Sequence, residues 1–140
     1  MSTNKFLPLG GRQLVPAILC GIILWYAAAT LLRVLEPTGI FQNDTYMVLL
    51  YLAVIPGTLP FVFIVMWVSA LGRERIALGY SVATAAAMLC DGVALHFFPG
   101  LYGTTSAQLA VSGALILWGA GVGIVLACLV NRSELTARGD

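Results

Sequence analysis

The stretch AAAMLCDGVALHFFPGLYG, residues 85–103, is almost wholly apolar, yet it carries Asp91 and, five residues on, His96. A carboxylate in such surroundings either takes up a proton or finds a partner, because an isolated buried charge is too costly. Inside a membrane segment it marks a functional site by default. Three fates are open to Asp91. It could form an ion pair with Arg33. It could be protonated and donate to a carbonyl near Leu52 or Pro56. It could line a water-filled path and exchange protons. Tyr26, Tyr51 and Thr58 lie at middle depths of their apolar runs and would form a binding pocket with Asp91 and Arg33 if the helices are suitably rotated. His96 stands about 140° round a helix from Asp91. No second axial ligand stands out, so it reads as an interfacial hydrogen-bonding residue, and it joins Asp91 in the candidate binding set. Cys20, Cys90 and Cys128 stand alone without a C-x-x-C motif and read as small hydrophobes. No catalytic residue, metal ligand or cofactor is assigned.

The elements that position these residues follow from composition. Of 140 residues, 60% are hydrophobic and 9% charged, with a mean hydropathy of +0.96. Soluble domains carry about 25% charged residues. A chain this poor in charge could not cover a water-facing surface, so most of it is expected in lipid. The net charge of +1 and the lack of a basic stripe give no footprint for nucleic acid. Four apolar segments are long enough to cross a membrane: 14–34, 46–70, 76–98 and 107–130, followed by a polar tail, 131–140. Lys5 and Arg12 before the first segment loosely suit a leader peptide, but the apolar run continues through TLLRVL and reads as a span. Lys5, Arg12, Arg73, Arg75, Arg132 and Arg138 all fall on one side of this layout. Both termini are therefore expected in the cytoplasm.

The expected fold is an all-α, integral-membrane four-helix bundle in one domain, with membrane lipids as its surroundings. Close helix contacts in lipid need small residues. Gly79, Ala83 and Ala87 recur at spacing four and end on Asp91, so the carboxylate should face protein. Gly119 and Gly123 form a G-x-x-x-G in the fourth span and suit packing inside the bundle or a homo-oligomer contact. Pro56, Gly57 and Pro60 lie near the centre of the second span. Each proline removes a backbone donor, so a kink or short unwound stretch is expected there. Broken helices of this kind line binding sites in many transporters.

The segment DGVALHFFPGLYG, with the preceding PGTLPFVF, resembles a family of small bacterial four-span membrane proteins of unknown function. The resemblance implies a bacterial inner-membrane location and assigns no activity or catalytic residues. The small multidrug-resistance exporters have similar size, but they carry an acid in the first helix, and LVPAILCGIILWYAAATLL has none. The four-helix enzymes of the vitamin-K-epoxide-reductase type need paired cysteines. Three functions are left: a small transporter or channel-like protein with Asp91 as its key acid; a non-catalytic subunit or accessory protein of a larger membrane complex; and an outer-leaflet enzyme or lipid-binding protein.

Overall fold

The computed structural model describes residues 9–137, with side chains through residue 131. Lys5, Arg132 and Arg138, which enter the orientation argument, lie outside the described side chains. Four α-helices follow in order: α1 (Gly11–Leu35), α2 (Asp44–Val68), α3 (Ile76–Phe97) and α4 (Ser106–Ala137). Among the described residues there is no strand. All four helices are long and apolar enough to cross a membrane. The 25 residues of α1 extend about 37 Å, more than the roughly 30 Å hydrocarbon thickness. Their outer surface is strongly apolar: Trp67 is 83% exposed and Leu89 73%. Apolar exposure on this scale suits lipid and would aggregate in water.

Local chemistry places the helix ends. The Asn43 side chain accepts from the backbone N–H groups of Thr45 and Tyr46, and Asp44 sits in the first turn of α2, where the helix dipole favours a negative charge. The Thr105 hydroxyl accepts from Gln108 N–H at 3.1 Å at the start of α4. The α3 helix stops two residues before Pro99, which cannot continue it. At the end of α2, Ala70 adopts a φ of 48°, and Leu71 N–H closes back on Met66 at 2.9 Å. Glycine fills this left-handed position most readily, since a Cβ there clashes with the backbone. Ala70→Gly is therefore expected to raise stability by about 0.5–1 kcal/mol, read as a higher unfolding midpoint in detergent.

The α2 helix runs through Pro56 and Pro60 without an unwound stretch. Both prolines and Gly57 are exposed on the outer side of α2, away from the other helices. Helical bonds on either side carry the backbone past them. The unwound alternative to a kink is not found.

Packing is uneven around the bundle. The α1 helix packs chiefly on α3, α3 on α4 and α4 on α2, whereas α1 and α2 touch only sparsely. The α1–α3 contact depends on Gly21: a Cβ there would overlap the Ala83 backbone carbonyl. Gly79 lies under Leu71, and Gly123 under the ring of Tyr80. One core cluster, Cys20, Val62, Val65, Ile76, Tyr80, Ala83 and Ala127, sits near the end where α1 begins. A second, Ala29, Leu32, Ala94, Tyr102 and Leu115, sits at the opposite end, here the far end. Of the cysteines only Cys20 is buried; Cys90 is half-buried and Cys128 exposed.

Candidate functional site

Asp91 lies six residues before the end of α3, about 9 Å from the far end of that helix. It is 8% exposed. Gly79 and Ala83 on its stripe are buried and Ala87 is half-buried, so this face of α3 looks into the protein. The carboxylate's partner comes from beyond the helix. Pro99–Leu101 form one 3₁₀ turn, closed by Tyr102 N–H donating to the Pro99 carbonyl at 3.0 Å. That turn reverses the chain and sends Tyr102 back along α3, where its side chain is wholly buried. The Tyr102 hydroxyl donates to Asp91 Oδ1. Trp25, on α1, donates its indole N–H to the same hydroxyl oxygen at 2.8 Å. Burial, followed by the hydrogen bond to Asp91, pushes the Tyr102 phenol above its ordinary value. It therefore stays a neutral donor at physiological pH.

The sparse contact between α1 and α2 leaves a cleft of about 520 Å³. Its walls are α1 and α2 and its floor is α3 and α4. Apolar residues dominate the lining; the polar side chains are Asp91, Trp25, Thr58, Tyr80 and Thr84. Thr58 donates to the Val54 carbonyl at 2.6 Å, so its hydroxyl hydrogen is used within α2. Asp91 is the only ionisable carboxyl among these lining residues, and its Oδ1 is held by a donor that is itself held. The arrangement presents a fixed acceptor in an apolar cleft. That is suited to binding the polar group of an otherwise apolar molecule.

The other residues singled out from sequence are dispersed. Arg33 is exposed and pairs with Glu36 at 3.3 Å, not with Asp91. Glu36 also accepts from the backbone N–H of Thr104 at 2.8 Å and from its hydroxyl at 2.7 Å. This contact joins the α1–α2 and α3–α4 connections across the far end. Tyr26 is exposed, with its ring 6.1 Å from that of Trp25. Tyr51 stacks near Trp118 at 5.6 Å, and the Trp118 indole donates to the Tyr51 carbonyl at 3.0 Å. His96 is exposed and sits edge-on to Phe97. Asp91 and Thr58 thus share the cleft, while Arg33, Tyr26, Tyr51 and His96 are outside its lining.

Neither Trp25 nor Tyr102 is among the pocket residues expected from the sequence. The signal for Tyr102 was present in FPGLYG: a helix stop, a tight turn and a hydroxyl-bearing ring that must fold back. Trp25 gave none, because Trp25 and Tyr26 are about 100° apart on α1 and only the helix rotation selects between them. Among the described residues no three His, Cys, Asp or Glu side chains cluster as metal ligands.

No protein-family model, curated protein or solved structure matches the chain.

Proposed function

We propose that this chain is a small transporter-type membrane protein whose cleft takes an apolar-bodied molecule from the bilayer between α1 and α2, with Asp91 as its polar contact. One observation carries the reading: a buried, hydrogen-bonded carboxylate lines an otherwise apolar cleft of drug-ligand size. The channel-like form has less support, because an ion path needs polar groups along its length and these walls supply few. The Lys/Arg bias favours cytoplasmic termini, and the resemblance of Asp91–Gly103 favours a bacterial inner membrane.

The lining also favours a second reading. Ala27, Ala28, Ala87, Gly119 and Ala120 make a small-residue surface that a partner's helix could approach closely, as in a subunit of a larger complex.

Native mass spectrometry of the protein purified in dodecyl maltoside separates the two. The transporter reading expects a retained small molecule that Ala87→Phe, which fills the cleft, removes while circular dichroism stays helical. Retention of a protein-sized partner would move the assignment to the second reading. Absence of any small molecule from wild type, after a gentle extraction that keeps lipid adducts, would remove the basis of the first.

A further inference from the structure

We infer that the molecule held in the cleft carries an ammonium group and that Asp91 receives it; this rests on the cleft's being a ligand site. The argument is one of charge complementarity. Asp91 is buried in α3 with apolar neighbours on the cleft side. The donor that the structure places on it, the Tyr102 hydroxyl, is neutral, and so is the Trp25 indole behind it. Arg33, the basic residue nearest in expected depth, is committed to Glu36 at the far end. Among the described residues no ion pair reaches Asp91. A carboxylate so placed lacks a counter-charge, and a ligand that supplies one recovers the cost of burying it.

The neutral donors bear on the choice of ligand. Two hydrogen bonds in series, from Trp25 to Tyr102 and from Tyr102 to Asp91, orient the carboxyl group. Neither donor brings an opposite charge to it. A site built for a hydroxyl or carbonyl would not need an acid here, since a neutral amide would present the same acceptor without the desolvation cost. An anionic ligand would be repelled. The apolar walls then accommodate the rest of an amphiphile, running from Asp91 past Ala87 and Thr84 toward Val65. The ammonium could belong to a free lipophilic amine or to an aminophospholipid headgroup, and the chemistry at Asp91 is the same for both.

The test compares dodecylamine with dodecanol, equal chains with and without the charge, by ligand-dependent thermal shift of the purified protein in dodecyl maltoside. The concentration dependence of the shift yields each Kd. Wild type is expected to bind dodecylamine on the order of tenfold more tightly than dodecanol, the gain from a hydrogen bond between two charged groups. Asp91→Asn should bring the two within about twofold. If the wild-type affinities are equal, and Ala87→Phe abolishes both, the ammonium inference is overturned and the cleft reading stands. If neither compound binds, both fall. The wild-type ratio decides the matter even if Asp91→Asn does not fold. Adding phosphatidylethanolamine, with phosphatidylglycerol as the amine-free control, identifies the source. Selective loss of dodecylamine binding points to a lipid headgroup, and no selective loss to a free amine.

Discussion

Gly21→Ala is expected to destabilise the protein by roughly 3 kcal/mol, the upper part of the range for overpacking. The added methyl group would fall on the backbone carbonyl of Ala83, so no rotamer change relieves the overlap. The α1 and α3 helices must separate, and they form the most extensive contact in the bundle. Their separation would loosen Cys20 and Ala83, both buried in the same core cluster. Gly113→Ala is the matched control, because a Cβ at Gly113 meets nothing within 4 Å. That variant should be neutral or gain up to about 1 kcal/mol from helix propensity. Reversible unfolding by sodium dodecyl sulfate titration, followed by circular dichroism, reads both. Equal midpoints for the two variants would contradict the close approach of α1 to α3.

Tyr102→Phe is expected to cost about 3 kcal/mol, although it removes a single oxygen atom. The hydroxyl is shared, so its loss leaves Asp91 Oδ1 without its donor and the Trp25 indole N–H without its acceptor. An unpaired buried polar group costs more than the bond it made was worth. Trp25→Phe leaves the Tyr102–Asp91 bond intact and should cost less, apart from the change in ring volume. The Tyr102→Phe and Asp91→Asn pair supplies a double-mutant cycle. A coupling of about 1 kcal/mol or more is the signature of direct contact. A Tyr102→Phe midpoint indistinguishable from wild type would mean that the hydroxyl does not hold the carboxylate.

These two variants report on different parts of one device. Gly21 brings α1 against α3, which sets Trp25 within reach of Tyr102. Tyr102 in turn fixes Asp91 at the cleft floor. The Glu36–Thr104 contact ties the same two connections together at the far end. Positioning of the carboxylate is thus shared among α1, α3 and the turn after α3.

The four helices were legible because an apolar run of twenty or so residues has one low-cost solution in lipid: a helix that satisfies its own backbone. Asn43 as a cap and Pro99 as a stop act through neighbours in the chain, so one sequence contains all their physics. The stripe from Gly79 to Asp91 has the period of a helix, and that period alone puts its residues on one face. The pairing of Arg33 with Glu36 was also local, at spacing three, and such pairs order fewer bonds than a reach across helices. It competes directly with the longer pairing to Asp91.

Rotation and reach came from packing. Helix period says which residues share a face, not which neighbour that face meets. Tyr26 and Trp25 are equally apolar-run aromatics in sequence; packing turned Trp25 inward and left Tyr26 exposed. The prolines of α2 suggested a broken helix beside a site, but they fall on the outer side, and the cleft runs past Val54, Thr58 and Phe61 instead. The cleft itself is a property of unequal contacts among four helices, above all the sparse one between α1 and α2. Composition and helical period are enough to put a costly carboxylate within an apolar helix, on its small-residue stripe. The fold decided that a phenol and an indole hold it, because the energy of a buried charge depends on atoms brought near by packing and not on its neighbours along the chain.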